Sequence, residues 1–256
     1  IGGLMSTISP AAPFFFAAIL AAGNLLLLWS KFPETHTNRY QCSRRRSSAW
    51  GEALAHGRLR RVILSYFLLI TGFSIMTGMF ALFTAQKLGL DATQNGLVFA
   101  FIGVIAAAIQ GRLIGGWVRR FGDLPLARLG AILVGLGLLG LPFVGGMFSL
   151  LSISALLAAG NSLMMPTLAA IASRQADAQS QGRTLGVLQS GASLARFLGP
   201  LAGGALFHWG AATGSNGIPA FWTGALLVFG AGWLAPKSDE PILSQSGEEQ
   251  PGQPMA

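Results

Sequence analysis

Apolar residues in this chain come in long unbroken runs, not in the interrupted pattern of a water-facing fold. The first run, Pro10 to Trp29, reads PAAPFFFAAILAAGNLLLLW and holds one polar interior residue, Asn24. Further runs follow at about 62–85, 94–116, 126–144, 148–172, 184–207 and 218–235. A helix needs about 20 apolar residues to cross the hydrocarbon core of a bilayer. In lipid a helix also satisfies its own backbone hydrogen bonds, which an open strand cannot do. The pattern therefore predicts an all-α integral membrane protein with about seven transmembrane helices. The fifth is expected to break at Pro166.

The connections between runs carry the charge. Residues 31–61 hold Arg39, Arg44, Arg45, Arg46, Arg58, Arg60 and Arg61 against Glu34 and Glu52. The stretch GRLIGGWVRRFGD, Gly111 to Asp123, carries Arg112, Arg119 and Arg120 and reads as a Gly-rich hinge that turns through Gly122. SRQADAQSQGR, Ser173 to Arg183, is a second basic turn. The turns on the other side hold Lys87 alone. Connections rich in Lys and Arg stay on the cytoplasmic side. The linker 31–61, the 112–128 hinge, the 173–183 turn and the tail 236–256 are therefore expected to be cytoplasmic.

Composition agrees with this picture. Of the 256 residues, 52% are hydrophobic and 10% are charged, whereas a soluble domain carries about 25% charged residues. The formal charge of +8 does not point to nucleic acid, because the arginines sit in clusters between apolar runs and not along one soluble face. Attraction to anionic lipid headgroups accounts for it better. Cys42 is the single cysteine, so no intrachain disulfide forms. The chain starts at Ile1 without a signal-peptide pattern, and it is expected to be a piece of something longer.

Small residues recur every four positions in two runs. Gly103, Ala107, Gly111 and Gly115 line one face of the third span, and Ala195, Gly199 and Gly203 line one face of the sixth. Such spacing lets helix backbones approach closely in lipid.

Catalytic parts are missing from the pattern. There is no GxxxxGK[ST], no HExxH and no CxxC, so neither an enzyme nor a cofactor or metal site is expected. No Asp or Glu lies deep in a span, although intramembrane acids are the usual proton relays. Polar groups that could face a cavity are Asn24, Thr77, Gln110, Asn161, Gln189 and Ser193. Phe73, Met76, Phe80, Met164 and Met165 could give it a soft apolar wall. Arg196 is the one charge well inside a span, and it is read as a buried charge.

Four segments carry a family resemblance: Ala11 to His36, GGWVRRFGD, the QGR of Gln181, Gly182 and Arg183, and GPLAGG from Gly199 to Gly204. Together the chain resembles the C-terminal half of a major facilitator superfamily transporter, close to the tetracycline and multidrug drug:proton antiporters. Residues 1–30 would match the sixth span, 31–61 the central loop, 62–235 the last six spans, and 236–256 a disordered tail. GGWVRRFGD is similar to the Gly-x-x-x-Asp-Arg-x-Gly-Arg pattern, but Arg119 stands at the acidic place and Asp123 at the later basic one.

The resemblance implies alternating access in the inner membrane, with a small lipophilic or amphiphilic substrate and protons as partners. The coupling acids would lie in the other half. Gly111, Gly115, Arg119, Arg120, Gly122, Asp123, Gln181, Gly182 and Arg183 would gate the cytoplasmic side. Phe73, Met76, Thr77, Phe80, Asn161, Met164, Met165, Gln189 and Ser193 would line the cavity. Gly199, Pro200, Gly203 and Gly204 would lie at a helix interface between the halves.

Overall fold

A computed structural model describes residues 5, 9, 11–31, 49–55, 57–175, 181–215 and 217–236. Its elements are all helical: α1 (Ala12–Lys31), α2 (Ala49–Ala55), α3 (Gly57–Leu88), α4 (Ala92–Ala108), a π turn (Ile109–Leu113), α5 (Ile114–Phe121), α6 (Asp123–Gly140), α7 (Met147–Arg174), α8 (Gln181–Ala212) and α9 (Ile218–Leu234). A 3-10 turn, Leu141–Phe143, extends α6. The α4–π–α5 run is one continuous rod.

Five of these rods are long and apolar enough to cross a membrane: α1, α3, Ala92–Phe121, Asp123–Phe143 and α7. Helix α9 is shorter, at 17 residues. Helix α8 has the length, 32 residues, but its face bears Arg183, Gln189, Ser193 and Arg196. The chain is a multi-pass, all-α membrane protein.

The turn expected at Gly122 is present, and the break expected at Pro166 is absent. The Gly111–Phe121 stretch is helical throughout, and the chain turns at Gly122 alone, with φ +81° and ψ 166°. The reason is that glycine costs a helix only about 1 kcal/mol, which surrounding packing and lipid readily overcome. Gly111 and Arg112 instead lie in the π turn. Helix α7 also runs through Pro166 without ending, as proline is tolerated in membrane helices where neighbours re-satisfy the freed backbone. Part of the linker is ordered as α2, whose Trp50 indole lies beside Gly191 of α8, 3.4 Å from where a Cβ would stand. Arg39, Cys42, Arg44, Arg45, Arg46, Asp177 and residues 237–256 fall outside the described residues.

Helices α3 to α9 form a bundle. Helix α3 packs on α8 and α9, α6 packs on α7 and α9, and α4 leans on α7. The largest sealed side chains are Tyr66, Phe80, Phe83 and Phe221, surrounded by leucines of α3, α6 and α7. Glycine makes the seams. A Cβ on Gly130 of α6 would stand 2.6 Å from the Gly160 carbonyl of α7, and one on Gly160 would stand 2.7 Å from that of Gly130. Gly72 of α3 and Gly224 of α9 oppose each other in the same way, at 2.6 and 3.0 Å. These are backbone contacts that no side chain could enter.

The stripe expected on the third span is not a seam here. Gly103, Gly111 and Gly115 have nothing within 4 Å of a Cβ. Only 11% of the best apolar window in Ala92–Phe121 is buried, against 56% for α3. Helix α1 buries none of its residues.

Candidate transport surface

Two ends of the bundle and one open face hold the residues singled out in the sequence. At the arginine-rich end, Gly122 caps both α5 and α6. Its positive φ is a conformation that suits glycine. The turn delivers Asp123 to the first position of α6, where it is 2% exposed, and its carboxylate pairs with the Arg174 guanidinium at the last position of α7. Each charge complements its helix dipole, negative at the start of one helix and positive at the end of the other. The acid that the family pattern puts at 119 is thus absent, but the acid at 123 has found its own partner. That pairing, across 51 residues, had no signal in the sequence.

At the same end the Gln181 side-chain amide donates to the Ser173 hydroxyl and ties α8 to α7. Arg119 and Arg120 are exposed, with Arg120 above the Phe121 ring at 5.4 Å. Gly182 meets nothing within 4 Å, and Arg183 is exposed.

The opposite end is tied by different groups. Thr84 of α3 donates to Asn95 Oδ1 of α4 at 2.7 Å. Asp91 caps α4 in a reciprocal box with Gln94. Lys87 Nζ donates to the Pro142 carbonyl and sits over the Phe83 ring. Trp222 Nε1 reaches the Leu139 carbonyl at 3.3 Å.

Between these ends the cavity candidates divide. Met76, Phe80 and Met164 are sealed in the core, at 1%, 0% and 0% exposure, so they fill the bundle and face no open surface. The helical period explains this: each lies on the side of α3 or α7 turned inward. Phe73 and Met165 are half-buried against that core. Asn161 is half-buried, and its Oδ1 is enclosed with no hydrogen-bond partner among the described residues. Asn24 and Gln110 are exposed.

Thr77, Gln189, Ser193 and Arg196 are exposed. Arg196 therefore departs from the expected buried charge. It lies at the flank of the α3–α8 seam, since Gly199 and Gly203, three and seven residues on, stand close to its own side of the helix. Gln189, Ser193 and Arg196 follow one another at four and three residues, which places them in one row along α8. Ser193 donates to the Gln189 carbonyl at 3.0 Å, and Thr77 donates to that of Ser74 at 3.3 Å.

The GPLAGG segment also divides. A Cβ on Gly199 would stand 2.5 Å from Ser74 Cβ and 2.9 Å from the Thr71 carbonyl. Pro200 lies against Gly78, and Gly203 against Ile75 and Met79. All three belong to the α3–α8 seam inside this bundle, while Gly204 faces open space.

Comparison with known proteins fits this architecture. The family model described as the Major Facilitator Superfamily matches residues 1–146 and 63–256. The class C tetracycline resistance protein of Escherichia coli is 29% identical over 234 residues, covering 90% of this chain and 57% of its own length. The class B protein of Escherichia coli is 25% identical over 241 residues, covering 90% and 56%. Multidrug resistance protein 1 of Bacillus subtilis is 27% identical over 214 residues, covering 81% and 53%. The chain thus spans a little over half the length of the curated relatives it matches. A model match across the whole chain, joined to an all-helical bundle with membrane-length rods, means that this chain belongs to the major facilitator superfamily, a family of membrane transporters and not of enzymes.

Proposed function

We propose that this chain forms one portion of a secondary transporter that exports small lipophilic or amphiphilic compounds across the inner membrane in exchange for protons. The observation that carries the reading is the open face of α8. Gln189, Ser193 and Arg196 stand in a row on a membrane-length helix, and all three are exposed among the described residues. Such groups are costly against lipid tails and belong beside an aqueous path. The relatives' names, tetracycline resistance and multidrug resistance, favour export of drug-like compounds.

In this reading the arginine-rich end is cytoplasmic, as are the linker and the tail. Gly122, the Asp123–Arg174 pair and the Gln181–Ser173 tie hold that end of the bundle together. Gly111, Gly115, Arg119 and Arg120 lie on the rod that leads to it. The portions 1–30, 31–61, 62–235 and 236–256 act as a separate span, a linker, a six-helix half and a tail. The acids in described membrane helices, Asp91 and Asp123, sit at helix ends, so the proton-carrying acids are assigned to the remainder of the transporter.

The test uses the complete protein in everted membrane vesicles energised with a proton gradient. Accumulation of a lipophilic dye that collapses on adding a protonophore is the expected result. Accumulation only in right-side-out vesicles would replace export with uptake of a nutrient or metabolite. Movement indifferent to the protonophore would remove the proton coupling.

A further inference from the structure

Helices α6 and α9 meet through small residues. A Cβ on Gly135 of α6 would stand 2.4 Å from the Phe229 ring of α9, and one on Gly232 of α9 would stand 2.7 Å from Ala131 Cβ. Farther along, the Trp222 indole donates to the Leu139 carbonyl at 3.3 Å, and its ring lies 6.4 Å from that of Phe143. The two helices are therefore antiparallel, and this register sets Arg128 of α6 level with the last turn of α9.

Helical phase brings the exposed residues to one crease between them. Arg128 precedes Ala131 by three residues and Gly135 by seven, so it borders the side of α6 that meets α9. Ile132 and Leu136 follow it at steps of four. On α9, Leu226 stands three residues before Phe229 and Trp233 four after it, so both border the side that meets α6. All five are exposed among the described residues. The contact between Trp222 and Phe143 shows that the two exposed edges open to the same side. Helix α3 takes the other flank of α9, where a Cβ on Gly72 would meet the Gly224 carbonyl and Val228. The crease thus faces out of the bundle.

Its chemistry is divided by position. Arg128 and the Trp233 indole stand at the arginine-rich end. The exposed residues beyond them, Ile132, Leu136 and Leu226, are apolar, and Trp222 closes the far end by lying across to α6. From Arg128 to Leu139 is roughly 16 Å along α6. That is close to half of a hydrocarbon core about 30 Å thick.

We propose that this crease is a binding site for an anionic phospholipid, with the headgroup phosphate at Arg128 and one acyl chain lying along Ile132, Leu136 and Leu226. A guanidinium presents parallel N–H donors that match phosphate oxygens. The indole of Trp233 suits the headgroup level, where tryptophan is enriched. The apolar stretch, of one leaflet's length, takes a chain that no water-soluble anion possesses. A zwitterionic headgroup would carry its own cation beside Arg128, a like charge that a net-negative headgroup lacks. Bound in this way, the lipid clips α6 to α9 from outside.

The first experiment purifies the complete protein in detergent with equal amounts of phosphatidylglycerol and phosphatidylcholine of identical chains. Native mass spectrometry counts what stays bound. The wild-type protein is expected to keep phosphatidylglycerol about tenfold over phosphatidylcholine, the ratio that roughly 1.4 kcal/mol of charge discrimination gives. Arg128→Gln should erase the preference and Arg128→Lys should keep part of it. Arg112→Gln, an exposed arginine on the α4–α5 rod, should keep all of it. The second experiment replaces Cys42 by Ser, introduces Leu136→Cys, and tags that cysteine with a benzophenone. Light should join it to phosphatidylglycerol.

No phosphatidylglycerol preference in the wild type, or an unchanged preference in Arg128→Gln, overturns the inference. So does a benzophenone product that contains another segment of the protein, such as α1 or the acidic tail, or a second copy of the chain, in place of lipid.

Discussion

Asp123 is nearly sealed, whereas its partner Arg174 keeps 58% of its side chain exposed. The two ends of the pair therefore differ in what their loss leaves behind. Arg174→Ala strands a buried carboxylate beside the start of α6, and a loss of roughly 1–3 kcal/mol is expected for an unsatisfied buried group. Asp123→Ala removes the buried charge itself and leaves an arginine free to turn into solvent, so it should cost less. The exchange Asp123→Arg with Arg174→Asp restores an ion pair but sets each charge against its helix dipole, and it should recover only part of the loss. Thermal melts in detergent order the variants. Equal losses for the two single alanine variants would mean that the pair contributes nothing that depends on burial. The sequence places Asp123 at the turn, where the family pattern has a basic residue. It cannot supply Arg174, because a partner across a fold has no spacing to betray it.

At the scale of the helices, the apolar runs foretell nearly every rod, since length and hydropathy are properties of a segment by itself. What they cannot tell is which side of a rod meets another. Gly103, Ala107, Gly111 and Gly115 form the most regular small-residue stripe in the chain, yet its glycines face open space, while the close contacts run through Gly130 with Gly160 and Gly72 with Gly224. Periodicity marks a smooth face and is silent on its neighbour. Arg196 departs from expectation for the same reason. Its place along the helix is legible, its exposure is not, because exposure depends on how far α3 covers that flank of α8. The contrast gives a prediction. Gly160→Leu and Gly199→Leu thrust a side chain into backbone and should cost at least about 1–3 kcal/mol, the ordinary penalty of overpacking. Gly111→Leu should leave the melt of the bundle almost unchanged. A large loss in Gly111→Leu, or none in Gly160→Leu, would contradict the assignment of the seams.

For the molecule as a whole, the described helices put Gly122 and the start of α8 at one end of the bundle and the Asp91 cap and Lys87 at the other. With Cys42 replaced by Ser, single cysteines at Arg120 and Gln181 should react with an impermeant thiol reagent from one side of the membrane. Cysteines at Ala92 and Ala211 should react from the other side. Reaction of Arg120→Cys and Gln181→Cys from opposite sides would dismantle the arrangement. The π turn at Ile109–Leu113 bears on the same geometry. Trp117 and Val118, beyond it, pack on Ile109, Leu126 and Leu163 in a small cluster of their own. A π turn holds one residue more than the α-helix it interrupts, and one residue is worth about 100° of rotation at 3.6 residues per turn. Excising that surplus residue would swing the tryptophan off its seat and aim the paired arginines of α5 along a new bearing, so a single extra amino acid works as the set-screw for one whole corner of the protein.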